Sequence, residues 1–195
     1  MKTLAILFLL AFSTTARADD IYGGVAMDTA PLAKARYEHM FGTITMPIEL
    51  SLPVIRPDGG DGELRAGARH AFKLSDRWHI DATLAGFIRT TDNDAFRAGA
   101  VGVDAEVVPT VALGRATLGL ELGIDQSLGT YISNSDASRE VYMDVKDGWY
   151  RTTQQTFRVG VRAAYPIGSG ELRLRAGVAN EVIPFFTELG FAVHL

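Results

Sequence analysis

From residue 40 to the C-terminus the chain alternates between apolar and polar positions. Across 40–52, Met40, Gly42, Ile44, Met46, Ile48, Leu50 and Leu52 alternate with Thr43, Thr45, Glu49 and Ser51. Leu64, Ala66, Ala68, Phe72 and Leu74 alternate with Glu63, Arg65, Arg69 and Lys73. After Ser75-Asp76-Arg77 the pattern resumes, with Trp78, Ile80, Ala82, Leu84 and Ile88 against His79, Asp81, Thr83 and Arg89. The same period of two runs through 98–108, 117–125, 156–165, 171–179 and 186–195. Period two signals half-buried strands, and these segments predict eight of them.

The two faces differ sharply. The apolar set carries no formal charge, and only His70 in it is ionisable. The polar set holds nine acids: Glu49, Glu63, Asp81, Asp104, Glu106, Glu121, Asp125, Glu171 and Glu188. It holds eight bases: Arg65, Arg69, Lys73, Arg89, Arg158, Arg162, Arg173 and Arg175. Gly and Ala fill many other polar-face positions, among them Gly67, Ala85, Gly160, Gly177 and Gly190. A water-soluble barrel turns its charges outward, whereas a membrane barrel turns them inward, because lipid is its solvent. Small residues among the Arg arms suit a narrow lumen. The near balance of acids and bases suits a closed interior of mutual pairs. Connections also alternate: 75–77, 112–116 and 166–170 are short, while 53–62, 90–97 and 126–155 are longer and richer in Asp, Asn and Gly. Membrane barrels have short periplasmic turns and longer outside loops. The expected fold is therefore an all-β, antiparallel, up-and-down transmembrane β-barrel with the charged face inside.

The start of the chain gives an address. Lys2, an apolar run over 4–12 and Ala16-Arg17-Ala18 form a secretory signal with a cleavage site near Ala18. Cleavage removes Lys2 and Arg17 and takes the net charge from −4 to about −6, which gives no hint of nucleic-acid binding. There is no cysteine, so an exported domain must be held by a core or by some other closure.

These features, with the C-terminal strand "FFTELGFAVHL", resemble the small outer-membrane barrels typified by OmpA and OmpX. That family usually ends in Phe or Trp, and this chain ends in Leu195. The resemblance implies residence in the outer membrane, contact with outer-membrane lipids and lipopolysaccharide, and recognition by the barrel-assembly machinery. It implies no single activity.

Residues 1–18 are thus read as the signal peptide, 19–39 as an N-terminal lead-in and 40–195 as the barrel. The lead-in has three readings: a periplasmic segment with a short helix after Thr29-Ala30-Pro31, an inserted plug, or an extra strand in a ten-stranded barrel. In the ten-stranded alternative, 139–146 supplies the second extra strand. In the preferred eight-stranded version, 126–155 is a hairpin continuing above the membrane, with Asn134-Ser135-Asp136 at its tip. Its Tyr131, Tyr142, Trp149 and Tyr150 are candidate contact residues for an unidentified surface ligand. Trp78, Trp149, Tyr150 and Tyr165 fall near expected membrane edges. Pro47 and Pro109 are read as bulges or strand ends.

Catalytic chemistry is not indicated. His39, His70, His79 and His194 lie on different elements without metal-ligand spacing. His79 and Asp81 share a face but fit an interior network better than an acid–base dyad. Asp92-Asn93-Asp94 and Asp58/Asp61 read as solvated turns before a cation site. No cofactor or metal is expected. An eight-stranded lumen is just wide enough for side chains. The expected role is non-enzymatic, structural or surface-interacting. A pore would need ten or more strands or a looser lumen. A lipid A-modifying enzyme would need a hydroxyl nucleophile and a His near the outer rim.

Overall fold

The structure is a computed structural model that describes residues 19–27, 31–54, 61–92, 95–141, 146–152, 155–180 and 184–195. Residues 1–18, expected to form a signal peptide, and Tyr142 lie outside the described residues. The strands are β1 (Asp20–Met27), β2 (Pro31–Phe41), β3 (Ile44–Pro53), β4 (Gly62–Lys73), β5 (Trp78–Asp92), β6 (Phe96–Leu113), β7 (Ala116–Asn134), β8 (Gly148–Tyr150), β9 (Gln155–Ile167), β10 (Gly170–Ala179) and β11 (Phe185–His194). A short helix, α1 (Asp136–Val141), stands between β7 and β8.

Ten of these strands close an antiparallel barrel in the order β1 to β7, then β9, β10 and β11. β11 returns to pair with β1 from Asp20 opposite His194 to Met27 opposite Thr187. The strand count is therefore ten, not eight. The barrel begins at residue 20, and the two additional strands are both in the segment read as a lead-in. Residues after Pro31 form strand β2 rather than a helix. Of the 139–146 segment, residues 139–141 lie in α1 and 142–145 lie outside the described residues; β8 further on pairs with β7.

The sequence alternates because the two faces meet opposite solvents. Leu84, Leu120, Val161, Leu174 and Leu189 are exposed on the outer surface, while Glu38, Glu49, Asp104, Glu106, Glu121 and Glu188 are buried inside. In water this arrangement would expose the hydrophobic surface and bury the charges, both unfavourable. In a bilayer both terms reverse, and closure satisfies every strand edge. Among the described residues no helix is long and apolar enough to cross a membrane; crossing is by strands. Trp78, Tyr165, Phe41 and Phe72 are exposed at the short-turn end, and Phe157, Phe185, Trp149 and Tyr150 at the other. These are the two aromatic girdles of a membrane barrel.

Three of the short turns are two-residue hairpins opening with Gly42, Gly114 and Gly168, at φ 64°, 65° and 62°. Glycine takes that left-handed conformation without the clash a Cβ would bring. Pro47 and Pro109 lie within β3 and β6, rather than at bulges or ends. Each interrupts one ladder: β3–β4 pairing stops after Thr45–Arg69 and resumes at Ile48–Ala66. β6–β7 pairing stops after Val107–Leu122 and resumes at Thr110–Gly119. The missing proline N–H accounts for both gaps.

Three aromatic rings point inward, each lying between a glycine and an arginine. Arg36 lies 5.2 Å from the Tyr22 ring, Arg89 5.2 Å from Phe87 and Arg175 4.6 Å from Phe186. On their other sides are Gly190, Gly102 and Gly177, where a Cβ would fall 2.3, 2.2 and 2.5 Å from the respective rings. The lumen glycines thus make room for rings that hold the guanidinium groups flat. Gly190→Val is expected to overpack this layer and cost about 1–3 kcal/mol. Outward-facing Gly23, where an added Cβ would meet nothing within 4 Å, should tolerate Val. Urea-unfolding midpoints of the two variants in lipid vesicles would check the contrast.

Candidate functional site: an ion-paired lumen and a vestibule

The lumen is built in layers of charge. At the loop end, Glu63 accepts from Arg65 at 2.8 Å and from Arg89 at 2.8 Å. Asp125 lies 3.4 Å from Arg89 and 3.8 Å from Arg65, tying β4 and β5 to β7 past the intervening β6. At mid-height Glu121 accepts from Nε of Arg162 at 2.9 Å and from Nε of Arg175 at 2.6 Å. Arg175 Nη2 grips the other oxygen of Glu121. Arg162 also donates to Glu106, and Arg158 to Asp104. Across the lumen, Lys34 bridges Glu49 at 3.3 Å and Glu188 at 3.0 Å, and Arg36 donates to Glu49. Tyr22 donates to Glu188 at 2.8 Å. Below, Glu38 accepts from Arg69 at 2.8 Å and lies 3.6 Å from Arg173.

The charged residues picked out in the sequence are distributed unevenly over this network. Glu49, Glu63, Arg65, Arg69, Arg89, Asp104, Glu106, Glu121, Asp125, Arg158, Arg162, Arg173, Arg175 and Glu188 interlock as described. Glu171 pairs with Arg173 at 2.7 Å. Asp81 sits 3.4 Å from His79 near the short-turn mouth. Lys73 pairs at 2.8 Å with Asp76 in the exposed turn and stands apart from the rest. Sequence reasoning missed Asp20, Lys34, Arg36 and Glu38, because their segment was assigned to the lead-in. The signal was present: Lys34, Arg36 and Glu38 alternate with Ala33, Ala35 and Tyr37.

Two spaces remain. A small cavity of about 60 Å³ lies between Glu38, Arg69, Glu106 and Arg162. A larger one of about 530 Å³ forms a vestibule at the loop end, with Arg65, Arg158, Arg175 and Glu188 among its lining residues. The layer around Glu121 lies between them. Ten strands enclose more room than eight, and the vestibule is where that room appears.

Above the barrel, β6 and β7 run for 18 and 19 residues, well beyond the roughly 9–11 that a crossing needs. The β6–β7 register slips between Val101 and Gly102, leaving Leu128 as an extra residue in β7. The bulge turns Tyr131 to the outer side, where it meets Trp149 edge-on at 5.6 Å. Tyr150 donates to the carbonyl of Lys146 at 2.5 Å. β7 ends at Asn134, and the chain returns through α1 rather than a tight turn at 134–136. Asp147 clamps this return: it accepts from the Asn134 backbone N–H at 2.9 Å and from Arg139 at 2.5 Å. The backbone and side-chain hydrogen bonds from Asn134, then the Arg139 charge, hold its carboxyl below the ordinary aspartate range.

All four histidines lie at the short-turn end. His79 is beside Asp81, His194 bonds Asp20 at 2.7 Å, and His39 bonds Asp19 at 2.8 Å. His70 contacts the Thr43 carbonyl at 3.0 Å. Of the acidic turn residues, Asp61 accepts from the Asp92 backbone N–H at 2.7 Å and Asp92 pairs with Arg97 at 2.8 Å; Asp58, Asn93 and Asp94 lie outside the described residues.

No protein-family model and no curated protein sequence matches the chain. Among solved structures, the KdgM porin aligns over 89% of this chain and 98% of its own, at 10% identity and a TM-score of 0.49. The NanC porin aligns over 91% and 100%, at 10% identity and 0.48. Ail, the attachment invasion locus protein of Yersinia pestis, aligns over 93% and 100%, at 11% identity and 0.43. These neighbours are outer-membrane β-barrels, and the likeness is one of chain trace only.

Proposed function

We propose that this chain is a non-enzymatic barrel of the Gram-negative outer membrane, with a structural and surface-interacting role exerted through the β6–β7–β8 projection. The observation that carries the reading is the inversion of faces: an uninterrupted apolar exterior around a lumen of paired charges. Closed barrels with that inversion belong in a bilayer. Exposed Tyr131, Trp149 and Tyr150 offer aromatic area above the apolar belt, of the kind that anchors interfaces and meets lipid headgroups. The natural neighbours of such a surface are outer-leaflet lipids and lipopolysaccharide, and insertion calls on the barrel-assembly machinery.

The vestibule favours a second reading, a small pore, and the ion-paired floor opposes it. Charges already paired with one another leave few free to carry ions along the lumen. The protein is expected to fractionate with outer membranes and to migrate faster on gels before boiling than after. In planar bilayers it should give no steady, large open-channel currents. Recovery as a soluble periplasmic monomer would remove the membrane reading, and sustained currents would promote the pore.

A further inference from the structure

We infer that the vestibule is a binding site for a small organic anion that carries a carboxylate or phosphate group on an apolar body. Its volume, about 530 Å³, falls in the range of about 300–1,000 Å³ typical of small-molecule sites. Its wall is unevenly composed, with apolar residues gathered on one side around a single ion pair, Lys34 to Glu188 at 3.0 Å, that is already satisfied internally. Ala26, Leu32, Pro53 and Phe186 come from β1, β2, β3 and β11, which are consecutive around the barrel. Arg65 and Arg89 come from the adjacent β4 and β5, Arg158 from β9, three strands further round, and Arg175 from β10. One side of a ligand therefore meets apolar surface interrupted only by the Lys34–Glu188 pair, while the other meets guanidinium groups.

The formal charges of this region nearly balance, but the exposed ones do not. Arg89 and Arg65 are 44% and 22% exposed, against 14% for Glu63 and 6% for Asp125. Carboxylates and guanidiniums both line the space, and at Arg65 and Arg89 the cations are the more accessible partners. Arg158 adds a second observation: its Nε is buried without a hydrogen-bond partner. An anionic oxygen entering from the loop end would meet donors from separate strands of the charged side, in planar geometry suited to carboxylate or phosphate.

The test is calorimetric titration of the purified, detergent-folded barrel with phenylacetate, phenyl phosphate, benzyl alcohol and phenethylamine. One or both anions should bind saturably, and the better of the two identifies the headgroup. The alcohol and the amine should bind at least tenfold more weakly. Arg89→Gln should weaken anion binding at least tenfold. Ala26→Glu, which puts a negative charge on the apolar side and removes no ion-pair partner, should do the same if Arg89→Gln fails to fold. Lys73→Gln, at the opposite mouth, should change nothing. Equal binding of the alcohol, no saturable binding of either anion, or anion binding indifferent to both vestibule variants would overturn the inference. Channel currents play no part in this readout, so its outcome is separate from the closed-lumen reading.

Discussion

Glu121→Ala is expected to be the most damaging single substitution in the lumen, with a loss of about 3–5 kcal/mol. Glu121 is 0% exposed and is shared by Arg162 and Arg175, with Arg158 Nε at 3.8 Å. Removing it strands guanidiniums on β9 and β10 in a confined space. Water entering the gap offsets part of the cost, so the figure is an upper range. Arg162→Ala should cost less: Glu121 keeps Arg175, although Glu106 loses its Arg162 bond. Arg139→Ala, in the solvated return between β7 and β8, should change stability little. Urea midpoints of barrels refolded into vesicles measure all three. A Glu121 variant as stable as the parent would mean that the lumen is already fully hydrated and its ion pairs contribute nothing.

The second large effect belongs to the residue next door. Leu120 is 47% exposed on the outer face at mid-strand, opposite Val161 of β9. Leu120→Arg should cost about 2–4 kcal/mol in a bilayer, whereas Arg at a position near the headgroups costs about 0–1 kcal/mol. Tyr131→Arg, above the belt, supplies that comparison. In a water-soluble barrel the ordering would vanish, since both sites would face water. Equal tolerance of Arg at 120 and 131 is thus the outcome that sinks membrane insertion, independently of any fractionation.

Strand type, face and interior charge were legible from residue 40 onward because two solvents impose opposite demands on successive residues. The count of strands was not. β1 contains the pair Gly23-Gly24 and points Tyr22 inward, so its apolar alternation is weak. β2 shows lipid only Ala33 and Ala35 at mid-strand, and Ala, Lys, Arg and Glu are good helix formers. Tertiary pairing with β1 and β3 overrides that propensity. The inward rings of Tyr22, Phe87 and Phe186 were equally hidden, since a ring on the polar face is intelligible only once its glycine is known to lie across the strand. The bulge at Leu128 was also silent in the sequence, and it decides which way Tyr131 faces.

The pairing of β1 with β11 has a consequence for how the molecule is made. Every other barrel strand finds a partner next to it in the chain or just across the 135–154 insertion, whereas this join brings together residues as distant as Asp20 and His194, 174 positions apart. Until it forms, the sheet is an open ribbon with two bare edges, each a template for pairing with another chain. Long-range closure is slow because the loop entropy must be met before the contacts exist. The hydrogen bond from Tyr22 and the ion pair from Lys34 converge on Glu188 at this join, so the last hydrogen-bonded ladder to close is also fastened by side chains from within. Tyr22→Phe would leave the finished barrel almost unaltered in shape while prolonging the time its edges stay exposed, and the lesion would appear as aggregated, never-inserted chain rather than as a weakened protein.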